Sequence, residues 1–481
     1  MGGLSEVEQL ALFGKNGLQL DEGGVETLKR IGRLYDGHPL VLQVIAKDIL
    51  SKPFNGNVQQ YWRRYQSEFD EGERDRREGN SPRSLQLRVK HRVEASLQRL
   101  PEDAYQMVCR AAVYRRPVPE GFWLKMVGEL AEERQWAALE VLRSHNLVEE
   151  ELRGDGVLLL RQHNLVRGVA RRLLRAEEGV WKSSEQTAAQ VWLSDYEPEA
   201  GAPNIEQVRG KLEAFHHHCE VEDWEAAKGI LLDEGVGWQL FNWSYYRETF
   251  PLYERLLGRL GAAVDVVCER RIGHAYFFLG NNPTAIEHYQ QSLETARKIS
   301  DRDGEGRVLG GLGLVYESLG GYYQAIEYHQ QFLTIAREIG DRQGEGSALG
   351  NLGNAYHYLS NYPQAIEYQQ QFLTIAREIG DRQSEGIALV NWGTTLLSLE
   401  QYPEAQQHLQ SSLDIFKALG DRTNESESLL RLAELYHQTG HPDLALDHCT
   451  QALTLAKELG IPLLKECEDL LVTLQPEGES A

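Results

Sequence analysis

Asn351 and Asn391 stand 40 residues apart, at the same place in two stretches of like pattern. A side-chain amide offers both donors and an acceptor. Two of them on neighbouring structural units are suited to bonding the backbone of an extended peptide whatever its sequence. Asn354, His357, Tyr358 and Thr394 stand where they would add sequence preference. The alternative is that these residues only form a solvated helix face. Other candidate chemistry is weaker. His216, His217 and His218 are consecutive, and adjacent helical residues point about 100° apart, so the three cannot converge on one metal ion. Cys109, Cys219, Cys268, Cys449 and Cys467 show no C-x-x-C spacing, so neither a zinc site nor a redox pair is signalled. No Ser-His-Asp, Cys-His or paired-carboxylate arrangement has motif support. No catalytic residue, metal or cofactor is therefore expected, and the chain reads as a non-enzyme.

A phosphate-binding loop needs G-x-x-x-x-G-K-[ST], because backbone N–H groups, the lysine and the hydroxyl act together on phosphate and magnesium. The nearest candidate is Gly14-Lys15, but Gln9 replaces the first glycine and Asn16 the hydroxyl residue. There is also no apolar strand ending in acidic residues to hold magnesium. ATP hydrolysis by this chain alone is not expected.

The elements that carry the asparagines repeat. Asp-Arg recurs at 301, 341, 381 and 421, and residues 324–346 and 364–386 agree at all positions except His329/Gln369 and Gly344/Ser384. A fixed period of about 40 residues means stacked supersecondary units. Each unit reads as two helices. In the first, Leu349, Leu352, Tyr356 and Leu359 keep one face apolar. Gly353 lies inside it, with Gly273, Gly313, Gly393 and Ala433 at the matching positions, and a small residue there lets the second helix approach. A turn with Pro363 follows, then a helix burying Ala365, Phe372, Ile375 and Ala376 and ending at Gly380. Gly310 and Gly311 leave one unit bare on the face that carries Asn351 elsewhere.

The pattern L-G-x-x-Y, turn, A-x-x-x-x-x-x-[FSA] resembles the tetratricopeptide repeat (TPR) family. The 40-residue form with G-D-R between units looks like kinesin light chains and spindle-orientation adaptors. The resemblance implies five repeats from about residue 266 to 460, with the first helices lining a concave groove for a protein or peptide partner. Upstream, AFHHHCEVEDWEAAKGILL and YYRETFPLYERLLGRLG look like degenerate units, with Ala227 at the small position.

The N-terminal 180 residues read differently. Ser5-x-x-Glu8 is a capping box opening a first helix. VETLKRIGRLY and PLVLQVIAKDIL give two more, and three such helices look like a remnant. The charged stretch Glu71 to Pro82 reads as a linker. Helices then lead through Pro101, Pro117 and Pro119 to a hairpin, VEEEL and VLLLR around Gly154-Asp155-Gly156. Helices followed by a two-stranded wing predict a winged-helix domain. Taken together, L-S-E-x-E-x-x-x-L-F, G-x-P-L, S-L-x-x-L-P and R-Q-H-N-L-V-R resemble the second half of the NB-ARC family of signal-transduction ATPases. Gly37-His38-Pro39-Leu40 stands where that family has G-L-P-L, and Gln162-His163-Asn164 where it has M-H-D. The resemblance implies that Pro39 packs near an adenine and that His163 touches the ADP β-phosphate. Alternatively, His163 caps a helix. The chain is expected to begin after a nucleotide-binding domain, so ADP or ATP enters only if another chain supplies the phosphate loop.

Composition sets outer bounds. The 481 residues are 41% hydrophobic and 25% charged, with a net charge of −22. That charge is uneven: residues 1–180 carry 28 basic and 27 acidic groups, and residues 181–481 carry 22 and 45. The C-terminal part should repel nucleic acid and anionic membrane. No run of about 18 apolar residues is present. Glu6 and Glu8 do not suit a signal peptide, and Glu6 also spoils a myristoylation site at Gly2. A reducing, cytoplasmic setting is expected. The fold class expected is mostly α: a helical subdomain at 1–75, a winged helix at 76–178, degenerate repeats at 179–262, the TPR α-α superhelix at 263–470 and a tail at 471–481. The function expected is regulatory or signalling protein binding. The alternatives are a nucleotide-binding component of a split ATPase and a winged-helix transcription regulator, for which Arg88, Lys90, Arg92 and Arg99 form a basic stretch.

Overall fold

A computed structural model describes residues 3–78 and 82–474. The chain is overwhelmingly helical, and among the described residues one small three-stranded sheet is present. It forms two compact units, 1–236 and 237–481, which divide within the segment 179–262.

The first unit opens with α1 (Glu6–Lys15), α2 (Glu22–Leu34) and α3 (Pro39–Leu50). The predicted capping box is present: the Glu8 N–H donates to the Ser5 hydroxyl, and the Ser5 N–H donates to the Glu8 carboxylate. These three helices are not a remnant. Two further helices, α4 (Val58–Arg64) and α5 (Gln66–Glu78), bring Tyr61, Trp62 and Phe69 against Phe13, Leu28, Ile31, Leu42 and Ile45 in one core. The stretch read as a linker is thus helical up to Glu78. Its charge misled the reading, because the helix is anchored in the aromatic core through Phe69. Residues 79–81 lie outside the described residues.

The next helix, α6 (Pro82–Leu97), overturns the basic stretch as a nucleic-acid face. Arg92 is buried and pairs with Asp48 at 2.7 Å, where Ser96 (2.9 Å) and Tyr61 (3.2 Å) also donate. Arg99 reaches Asp48 and Glu68. Arg88 is buried and donates to the Leu34 carbonyl. Only Lys90 of the four is exposed. Removing one partner from a buried ion pair of this kind leaves a costly lone charge.

There follow α7 (Glu102–Arg110), β1 (Val118–Pro119), α8 (Glu120–Lys125), α9 (Glu132–Ser144), β2 (Glu149–Leu152) and β3 (Leu158–Arg161). The predicted hairpin is β2–β3. Sequence reading missed β1, a two-residue strand that pairs antiparallel with β3 and gives the order β1-β3-β2. The unit closes with α10 (Asn164–Arg175), α11 (Glu178–Asp195), α12 (Asn204–Gln207), α13 (Arg209–Glu220) and α14 (Trp224–Lys228). Ala227, at the expected small position, is buried. The three histidines go separate ways: His217 bonds Glu185 at 2.5 Å, His218 lies 3.3 Å from Asp223, and His216 lies 3.9 Å from Glu220. Among the described residues no group of His, Cys, Asp and Glu is placed to hold a metal ion.

The second unit begins with α15 (Val236–Asn242) and α16 (Tyr246–Leu256). Five helix pairs follow: α17 (Ala262–Phe278) with α18 (Asn282–Ile299), α19 (Arg302–Ser318) with α20 (Tyr322–Ile339), α21 (Arg342–Tyr358) with α22 (Tyr362–Glu378), α23 (Arg382–Ser398) with α24 (Tyr402–Leu419), and α25 (Arg422–Gln438) with α26 (Pro442–Leu459). A last helix, α27 (Leu463–Leu474), packs on α26 and covers the end of the stack, reaching four residues into the expected tail. The rest of that tail, 475–481, lies outside the described residues. Ala365, Phe372, Ile375 and Ala376 are buried, as the pattern requires. Among the described residues no helix is long and apolar enough to cross a membrane.

The G-D-R signature is a junction in which every residue has a task. Gly340 and Gly420 take left-handed φ of 73° and 69°, which ends the second helix. Asp341 caps the next helix by accepting the Gly344 N–H at 2.9 Å, as Asp301, Asp381 and Asp421 do in their units. Arg342 bonds Glu345 three residues on and Glu378 at the end of the second helix of its own unit. Arg337 joins the same Glu345 at 2.7 Å. The motif recurs around Glu305 and Glu385. The Asp cap is worth about 1 kcal/mol at each junction, and the half-exposed arginine pairs contribute less.

Candidate peptide-binding groove

Each first helix packs on the first helix of the following unit, α17 on α19, α19 on α21, α21 on α23 and α23 on α25. Second helices touch chiefly their own partner and the next first helix. The first helices therefore line the inner side of the stack. The second helix of each unit approaches closely because small residues face it: a Cβ on Gly353 would lie 2.9 Å from Gln369, and one on Gly393 would lie 2.7 Å from Leu409.

Asn351 and Asn354 lie on α21 and Asn391 on α23, all partly exposed. Among the described residues their side-chain amides make no hydrogen bond. The other predicted groove residues are less free. His357 Nδ1 lies 3.1 Å from the Thr395 hydroxyl, which also receives the Gln369 amide at 3.0 Å and donates to the Asn391 carbonyl. His357 is thus tied to the next unit, and burial, then Arg431, holds its pKa below the usual imidazole value. Tyr358 is 59% exposed but stacks on Tyr322 with ring centroids 5.1 Å apart. Thr394 turns its hydroxyl back to the Val390 carbonyl at 2.8 Å.

Counting in periods of 40 extends the row. The position of Asn351 and Asn391 is held by Arg271 on α17, Gly311 on α19 and Arg431 on α25. Sequence reading took only the asparagine members, although the same count would have found the arginines. Gly311 is not bare space. A Cβ there would meet the Tyr289 ring at 2.7 Å, so the tyrosine of α18 fills the place a side chain would take. Arg431 is held by Glu427 (2.7 Å), Glu434 (2.9 Å) and Glu466 (3.1 Å). Burial raises the Glu434 pKa even so.

In the first unit, Gly14-Lys15 lies in the last turn of α1, where carbonyls rather than N–H groups are exposed. Gln9 is buried and donates to the Leu4 carbonyl, and Asn16 donates to the Leu12 carbonyl. Pro39 is exposed at the first position of α3, behind His38. His163 caps α10, with its Nδ1 accepting the Leu165 N–H at 3.2 Å. Gln162 is buried and donates to the Val108 carbonyl at 2.6 Å. Burial lowers the pKa of His38, and the charge of His163 lowers it further. The buried His38 Nδ1 has no partner.

The tetratricopeptide repeat family matches residues 267–338, 306–378 and 384–458. The C-terminal part of the chain is thus a tetratricopeptide repeat array. Among curated proteins none matches the chain. Of solved structures, the chain is similar to a signal transduction ATPase with numerous domains (STAND) protein with a tetratricopeptide repeat sensor from Pyrococcus horikoshii. The identity is 16% over 98% of this chain and 69% of that one, with a TM-score of 0.44. It is similar also to a Rap protein complexed with competence and sporulation factor (18% identity, 63% and 84% covered, TM-score 0.41). A third is the kinesin light chain of Podosopora anserina with nearly identical TPR-like repeats (18% identity, 40% and 96% covered, TM-score 0.34). Likeness at this level says nothing of activity or ligand.

Proposed function

We propose that the chain is a non-catalytic regulatory protein that binds an extended peptide along α21 and α23, joined to a switch region of the NB-ARC kind. The observation that carries this is the pair of unbonded, partly exposed amides of Asn351 and Asn391, one period apart on packed helices. The winged-helix reading of residues 76–178 is supported by the order α7–β1–α8–α9–β2–β3 with the sheet order β1-β3-β2. A nucleic-acid role is disfavoured. In α9, Arg134 is engaged by Asp103, and Arg143 by Glu120, Glu140 and Glu150. The test uses short peptides selected from a displayed library on the native protein. Asn351→Ala with Asn391→Ala should weaken them by about 1–3 kcal/mol, since peptide groups lose their partners, while circular dichroism stays unchanged. A folded double variant that keeps full affinity for every selected peptide would sink the proposal.

The electrostatic influence of His163 on His38 supports a second reading, a nucleotide-binding component whose phosphate loop comes from another chain. Without phosphate-cradling amides, ADP affinity should be no tighter than about 1 mM, roughly −4 kcal/mol. Calorimetry giving micromolar ADP binding by this chain alone would favour the second reading.

A further inference from the structure

Of the three arginines along one side of α6, two are answered within the fold and one is not. Arg92 and Arg99 share Asp48 and Glu68. Arg88, one turn before Arg92, is 5% exposed and forms no ion pair among the described residues. Its Nε donates to the Leu34 carbonyl at 3.3 Å, and its two Nη groups are buried without a hydrogen-bond partner. A buried guanidinium left in this way is costly unless something pairs with it. Arg88 lines a cleft of about 250 Å³ between α5 and α6. Clefts that hold drug-sized molecules measure about 300–1,000 Å³, so this one suits a smaller ligand. Ala95, two turns after Arg88, is part of the wall, and its methyl group leaves the space open.

The lining carries both signs of charge. Tyr35, at the end of α2, and Glu68 and Glu71, on α5, border the same cleft. Burial raises the Tyr35 pKa, so its phenol stays neutral and can donate. Glu68 is already taken by Arg92 and Arg99. Glu71 is exposed, and no ion pair joins it to Arg88. A guanidinium fork with both Nη groups open calls for a carboxylate or phosphate. Two glutamates on the same lining repel an ion that is only negative, and a phosphate most of all, with its charge near −2. A ligand bearing an ammonium group beside its carboxylate meets both demands, because an ammonium donates three hydrogen bonds and accepts none.

We propose that the cleft between α5 and α6 binds a free α-amino acid, with its carboxylate on the Arg88 fork and its ammonium group on Glu71. The ligand ties α5 to α6 and supplies the counter-charge that Asp48 and Glu68 give to Arg92 and Arg99. The site lies wholly in the first unit and is independent of the peptide groove.

The test screens the full chain against each standard L-amino acid at about 10 mM for a rise in melting temperature, then measures Kd by calorimetry. At least one amino acid should raise the melting temperature. Its amide and its N-acetyl derivative should each bind roughly 10- to 100-fold more weakly. Arg88→Met should remove the difference between the acid and its amide. Glu71→Gln, on the exposed rim, should keep that difference and remove the one between the free amine and its N-acetyl form. Should Arg88→Met fail to fold, the same derivatives on the native protein and on Glu71→Gln carry the test. The site is overturned if no amino acid shifts the melting temperature, or if acetate or inorganic phosphate shifts it as far as the best of them. It is overturned also if Arg88→Met and Glu71→Gln act non-additively on the ligand-free protein, since the two side chains then pair with each other.

Discussion

Arg271 and Arg431 occupy the same repeat position at opposite ends of the row, and their surroundings are opposite. Arg431 is enclosed by Glu427, Glu434 and Glu466. Arg271 has Arg270 beside it, Arg307 nearby and Trp238 beneath it, with no carboxylate partner among the described residues. One arginine is answered within the fold and works as structure. The other is left unanswered, so its partner must come from outside or its cost goes unrelieved. Repeat position fixes where a side chain points, whereas its neighbours decide whether it binds the protein or a ligand.

The largest effect that would test this contrast is on stability. Arg431→Met should destabilise the protein by about 1–3 kcal/mol, because it strands the partly exposed carboxylates of Glu427 and Glu434 as well as Glu466. Arg271→Met should change stability by about 1 kcal/mol or less, losing only its contact with Trp238. Urea denaturation of both variants checks the pair, and equal losses would erase the distinction. Next is Gly311→Ala. The added methyl must displace the Tyr289 ring, at about 1–3 kcal/mol for an overpacked site. The melting temperature should fall accordingly.

A pH dependence sharpens the comparison at the same end. Burial, then Arg270 and Arg271, lowers the pKa of His274 from the model-peptide value of 6.5 to about 3. Phe241, Phe278 and Tyr289 pack around its ring. The unfolded chain thus binds a proton at higher pH than the folded one. Its contribution to stability is present above about 6.5 and is lost as pH falls toward 3. His274→Gln should flatten the decline of melting temperature over that window. The smallest expected effect is at the junctions: Arg342→Ala should lower the melting temperature least of these variants, since the arginine itself is solvent-exposed. A large loss there would mean that the junctions, not the cores, hold the array together.

The repeat array was legible because each residue of the period does the same job in every unit: Asp341 caps, Arg342 pairs, and Gly353 admits the second helix. Much of the groove followed from that period, yet Arg271 was passed over because only its asparagine equivalents looked like ligands. The ties of His357 to Thr395 and of Tyr358 to Tyr322 cross between units, and no local pattern announces them. In the first unit, α1 to α3 and the β2–β3 hairpin were readable from caps and alternation. Helix α5 was not, since its charges hide the one residue, Phe69, that docks it. Strand β1 was missed because two residues beside prolines carry no periodicity. The basic stretch misled for a related reason: sequence shows that Arg92 is charged but not that Asp48 waits for it.

The near-identity of residues 324–346 and 364–386 has a kinetic consequence. During folding, α22 presents to α19 almost the same surface as α20 does, so a register that loops out one period is nearly complementary. Three features oppose it. Gln369 would replace His329 beneath Gly313, forfeiting its bond to Thr395. The looped-out segment costs closure entropy, which grows only slowly with its length. It also leaves the buried Phe332, Leu333, Leu349 and Leu352 unpacked. At the slipped junction itself, discrimination rests on little more than a single side-chain bond, so the native register is favoured chiefly by the core of the repeat that is left out. Refolding from denaturant should sort chains into two populations, the slower one escaping by local unfolding of the middle repeats.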